Sequence, residues 1–192
     1  MEIILASTSP RRKSLLKSAG IDFKVVSPNY DEEFGSLDFT YEKIKNVSLQ
    51  KALSIKDMVD ENSVIISADT VVVFENKILL KPKDEREAFD MLKKLSGKEH
   101  FVVTGYTLLC PKTGKTITSY VKSFVSFAQL SDMQIKNYIE EYKPLDKAGA
   151  YGLQELPEYF GAKTKGSANN VIGLPVEEII EDLKKFSTVD FL

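Results

Sequence analysis

Apolar positions along the chain fall into short blocks whose spacing alternates between a period near two and one near 3.6. Residues 3–6 form an apolar run that predicts a short buried strand. Ser9-Pro10 then predicts a helix with a serine N-cap and proline in its first turn. Leu15, Leu16 and Ala19 give that helix an inner face, and Gly20 can end it. A second strand is expected over 23–27 and a polar loop over 28–39. Thr40 caps a helix expected over 41–59, with Ile44, Val47, Ser48, Ile55, Met58 and Val59 on one face. The β-prone run 64–74 predicts a long strand, 75–77 a hairpin turn, and 78–80 the returning strand. Asp84 and Glu87 have capping-box spacing ahead of Ala88, Phe89, Met91, Leu92 and Leu95, a helix that Ser96-Gly97 stops. Strands are expected over 100–109 and 115–127. A second capping pair, Ser131 and Gln134, opens a helix reaching Tyr142, and a last helix covers 176–186. Residues 144–170 carry little regular signal. This mixed order predicts an α/β protein with a mixed sheet rather than a purely parallel, doubly wound one.

Composition narrows the class. The 192 residues, 43% hydrophobic and 28% charged, suit one globular domain or two closely joined lobes. A net charge of −2 gives no global attraction to nucleic acid or membrane, so an anion site has to be local. The single cysteine, Cys110, excludes an intrachain disulfide and suits a reducing, cytoplasmic setting. The first residues are too acidic for a signal peptide, and no apolar run reaches the ~18 residues of a membrane helix.

Five segments could carry chemistry. Ser7-Thr8-Ser9-Pro10-Arg11-Arg12-Lys13 places hydroxyls and guanidinium groups at a helix N-terminus, where free N–H groups and the helix dipole favour a phosphate; a capped, solvated basic turn is the alternative. Asp69 interrupts its β-prone run with the run's only charge, and a carboxylate there needs a cation, a metal or several N–H donors. Lys51 falls about 20° from Ile44 around its helix, in the middle of the apolar stripe, so it either snorkels to a rim or meets an anion. Asp31-Glu32-Glu33 could share a divalent cation with phosphates, or simply be solvated, and Lys81-Pro82 could present a lysine to a phosphate. Segment 146–154, with Ala148-Gly149-Ala150-Tyr151-Gly152, suits close approach to a flat ligand such as a base. His100, the lone histidine, reads as structural.

Together these segments resemble the Maf family of nucleoside triphosphate pyrophosphatases over nearly the whole chain. The matching pieces are Leu5-Ala6-Ser7-Thr8-Ser9-Pro10-Arg11-Arg12, Asp31-Glu32, Lys51-Ala52, Ala68-Asp69-Thr70, Lys81-Pro82, Leu95-Ser96-Gly97 with His100, 146–154, and Asn170-Val171-Ile172-Gly173-Leu174-Pro175. The resemblance implies an elongated mixed sheet flanked by helices, with two lobes around a central cleft, and often a homodimer. It also implies a Mg²⁺- or Mn²⁺-dependent reaction giving nucleoside monophosphate and pyrophosphate. Asp69 then corresponds to the proton acceptor for the attacking water, and Ser7, Arg11, Arg12, Lys51 and Lys81 to phosphate binders. Glu32 corresponds to a metal ligand, with Asp69 sharing the ion. Arg11, Thr70 and Gln154 match the selecting positions of the dTTP/UTP group. A nucleotide-binding regulator of septum formation, without turnover, is the rival reading.

Overall fold

The structure, a computed structural model, describes residues 2–30 and 35–187. Its strands are β1 (Ile3–Leu5), β2 (Lys24–Val25), β3 (Val64–Phe74), β4 (Lys77–Leu79), β5 (Glu99–Leu109), β6 (Thr116–Ser126) and β7 (Lys163–Lys165). Its α-helices are α1 (Pro10–Ser18), α2 (Tyr41–Leu53), α3 (Glu85–Leu95), α4 (Asp132–Tyr142), α5 (Ala168–Ile172) and α6 (Val176–Ser187). The strands form one sheet in the order β2-β1-β3-β5-β6-β7, with β4 also paired to β3. β1 runs parallel to both β2 and β3, and every other pair is antiparallel. The mixed sheet expected from the order of elements is therefore present.

β3 organises the molecule. One edge is paired to β5 from Ile65 to Val73. The other edge is shared: β1 covers Val64 to Ile66, and β4 covers Val72 to Phe74. Residues 67–71 between them face neither strand. β1 runs parallel to β3 and β4 antiparallel, so the two strands end pointing into this gap from opposite sides. The loop leaving β1 brings Ser7 and the start of α1 to it, and the loop leaving β4 brings Lys81.

Side chains alternate across β3. Ile65, Ser67, Asp69, Val71 and Val73 face α2, whose buried residues Ile44, Val47, Ser48, Lys51 and Ala52 follow one helical stripe. Gly105, opposite Asp69, allows the close approach: a Cβ there would lie 2.6 Å from the Ile44 carbonyl oxygen. Ser67 Oγ donates to the Ser48 carbonyl at 2.6 Å and fixes the helix along the sheet. On the opposite face, Val64, Ile66 and Ala68 pack with Leu16, Ile179 and Phe186 of α1 and α6, whereas Val72 packs with α3 and α4. Thr70 stands between these two clusters, which form the walls of a cleft.

Several expectations need correction. The helix over 41–59 ends at Leu53; a 3-10 turn at Lys56–Met58 follows, so Met58 is exposed instead of buried. The strand over 23–27 is only Lys24–Val25, and both residues are exposed. Ser9 makes no side-chain cap; its N–H donates to Ser7 Oγ at 3.2 Å. Asp84 does accept from the Glu87 N–H, but the Glu87 carboxylate accepts from Lys83 rather than closing the box. β7 and α5 lie in a segment expected to be irregular. Among the described residues no helix is long and apolar enough to cross a membrane.

Candidate active site

A cavity of about 350 Å³ opens over the gap in β3, within the ~300–1,000 Å³ usual for small-molecule sites. Its lining includes Ser7, Arg11, Arg12, Lys51, Asp69, Thr70, Lys81 and Gln154. These residues singled out from the sequence therefore reach this one cavity, whereas Lys13 does not line it and Asp31, Glu32 and Glu33 lie outside the described residues.

Asp69 sits at the floor. Its Oδ1 accepts a hydrogen bond from Lys51 Nζ at 2.7 Å, and both side chains are 6% exposed. Charges removed from water this far persist only when compensated, and removing one partner leaves the other buried against its desolvation cost. The stripe of α2 thus carries its lysine to meet an anion and not to snorkel.

Arg12 is fixed by three contacts. Its Nε donates to the Gly173 carbonyl at 2.8 Å, one terminal nitrogen to Ser7 Oγ at 3.3 Å and the other to Thr70 Oγ1 at 3.2 Å. Thr70 Oγ1 also donates to the Gly173 carbonyl at 3.2 Å and lies 2.9 Å from Thr104 Oγ1. This guanidinium ties α1 to β3 and to the turn between α5 and α6. The first turn of α1 holds no acid, so its N–H groups together with Arg11 and Arg12 make that wall positive, with Asp146 of the facing wall as the acid that meets it.

The opposite wall comes from residues 146–154. Arg11 reaches across to Asp146 Oδ2 at 3.1 Å. Burial pushes the Asp146 carboxyl up, but hydrogen bonds from Lys147 and Arg11 outweigh it and hold the group below the ordinary carboxylate value. Gln154 and Lys81 are exposed at the rim, and neither makes a hydrogen bond or ion pair with the described residues. Behind this wall His100 Nε2 lies 2.8 Å from Tyr151 Oη, and the imidazole packs edge-on against the Phe127 ring. Burial lowers the histidine to about 4, so it is neutral and structural.

Lys147, buried on the cavity wall, lies within the 146–154 segment singled out from the sequence, which gave this lysine no role of its own. It sits in an irregular segment beside Asp146, so no periodic pattern marks it as unusual.

Among the described residues no group of three or more His, Cys, Asp or Glu side chains could hold a metal unaided. One deep carboxylate beside a cationic wall instead suits a hard cation that arrives with phosphates and takes most of its shell from them and from water.

The Maf-like protein family matches residues 2–186. A dTTP/UTP pyrophosphatase of Thermosipho melanesiensis is 48% identical over 179 residues, covering 93% of this chain and 94% of that one. Another, from Thermoanaerobacter sp., is 41% identical over 185 residues, covering 96% of each. Among solved structures, the Staphylococcus aureus Ham1 protein matches 96% of this chain and 99% of its own with a TM-score of 0.54 at 16% identity, a likeness of fold.

Proposed function

Because the chain belongs to the Maf family, we propose that it hydrolyses nucleoside triphosphates between the α and β phosphates, with dTTP and UTP as preferred substrates. The observation that carries this reading is the buried Asp69–Lys51 pair, set in the gap of β3 and facing a cationic helix start across one cavity.

In this proposal the triphosphate lies along the gap. Ser7, Arg11, Arg12 and the α1 N-terminus bind it from one side, and Lys81 from the other. Arg12 is already locked by Gly173 and Thr70, so its guanidinium needs little reorganisation to meet charge that develops in the transition state. Asp69 accepts the proton of the attacking water, and Lys51 keeps the carboxylate in place. Asp69 and Glu32 would hold a Mg²⁺ or Mn²⁺ ion, which supplies charge neutralisation to the phosphate oxygens. Arg11, Thr70 and Gln154 face the part of the substrate that distinguishes one base from another. A single two-lobed unit, a homodimer and a cytoplasmic setting, suited to a nucleotide substrate and a lone cysteine, belong to the same proposal.

Product analysis tests it. Incubation of the protein with dTTP and Mg²⁺ is expected to yield dTMP and pyrophosphate in equal amounts. Formation of dTDP and phosphate would reject α–β cleavage, and binding of dTTP with no product would favour the regulator.

A further inference from the structure

Lys147 belongs to the cleft wall, yet the proposed chemistry leaves it unused. Its side chain is 8% exposed, a position a lysine keeps only if its charge is compensated. Nζ lies 2.8 Å from Asp146 Oδ1 and 3.1 Å from Glu155 Oε2. That glutamate oxygen is buried and has no aligned hydrogen bond, so the ammonium charge is what compensates it. The methylene stem of Lys147 lies directly over Gly152, where a Cβ would stand 3.0 Å from Cε and 3.1 Å from Cδ.

The segment so gripped is not relaxed. Ala150 has φ 60°, a left-handed conformation that alanine keeps only where its surroundings hold it. Gly149, at φ 67°, lies so close to Val72 that a Cβ would come within 2.9 Å of it, and its N–H donates to the Leu80 carbonyl at 3.2 Å. The two carboxylates that Lys147 holds lie at the two ends of this segment. Asp146 extends across the cleft to Arg11, and Glu155 directly follows Gln154.

We propose that Lys147 is a positioning residue for base selection: through Asp146 and Glu155 it ties the Gln154 wall to Arg11 on the facing wall and so sets the opening that a nucleobase enters. The substrate class in this inference rests on the pyrophosphatase reading above. Asp69 and Lys51 stand on β3 and α2, outside this chain of charges. Loss of the clasp therefore falls on KM and on base preference, and much less on kcat.

Two variants test it. Lys147→Met keeps a stem over Gly152 and removes the charge; Glu155→Gln cuts one arm alone. In Lys147→Met the KM for dTTP is expected to rise about tenfold while kcat changes by less than about threefold, with the preference for dTTP over dGTP falling by a similar factor. Glu155→Gln is expected to show the same pattern more weakly, and Lys147→Arg to restore most of the preference. Unchanged KM and preference in folded Lys147→Met would overturn the proposal, as would an equal fall in kcat for both nucleotides. Should Lys147→Met fail to fold, Glu155→Gln decides by the same criteria. Calorimetric affinities for non-hydrolysable α,β-imido-dUTP and its guanine counterpart separate the two readings. No turnover in the unaltered protein rejects the enzyme, while a preference for the uracil analogue that disappears in Lys147→Met still supports the clasp. A binding preference that survives in Lys147→Met overturns it.

Discussion

Asp69 carries the only charge in its strand, and burying a carboxylate there demands a partner. Lys51 makes the matching demand from α2, a charge on the stripe where that helix is otherwise uncharged and buried. Two violations of separate periodic patterns point at each other across 2.7 Å. Replacing Lys51 by methionine is expected to destabilise the protein by about 3 kcal/mol, read as a lower urea midpoint, because the Asp69 charge loses its closest compensation. A shift under about 1 kcal/mol would mean that the pair contributes little. Arg12 makes a different kind of demand. Its fork contacts three separate elements, a geometry an ammonium cannot reproduce, so Arg12→Lys is expected to lower kcat/KM for dTTP by about tenfold or more with folding retained. Lys147 shows the limit of such reasoning: its segment has no period, so a buried lysine there violates no visible pattern.

Elements with strong local signals appear where the sequence places them. Thr40, Asp84 and Ser131 each cap the helix expected behind them, and β3 occupies all of 64–74. The errors follow from tertiary contacts. α2 stops at Leu53 although Ile55 continues its stripe, because the chain turns to place Ile55 in the core beside Ile4, Ile65 and Leu109. The three residues of β7 are exposed, and pairing with β6 defines the strand in place of any hydrophobic alternation. Least visible of all was the gap in β3, which depends on where two other strands stop. Gly105 controls the distance between the sheet and α2. Gly105→Ala is expected to cost about 2 kcal/mol in urea unfolding and to reduce activity as well, since the helix that must move carries Lys51. Stability and activity both unchanged would show that α2 yields freely.

The whole molecule places two hydrophobic clusters on one face of a shared sheet and α2 on the other, and the charged cavity at the gap in β3 is lined from both faces. Its acid sensitivity has an identifiable contributor. His100 is held near 4 when folded against about 6.5 when unfolded, so below 6.5 the unfolded chain takes up the proton first and stability falls with pH. The stability this group contributes is present in full above 6.5 and is lost as pH falls toward 4, a loss of about 2 kcal/mol between pH 7 and pH 5. Urea midpoints measured at the two pH values should converge by that amount in His100→Gln; an unaltered difference would remove His100 as the cause. At the same scale, the cleft is useful only if its deepest acid takes part in the reaction. That claim is tested most directly by single-turnover release of pyrophosphate from dTTP with Mg²⁺, comparing the unaltered protein with Asp69→Asn of verified fold and nucleotide affinity. A loss of at least about a hundredfold is predicted for the removal of a proton acceptor, and equal rates in the two proteins would contradict the account.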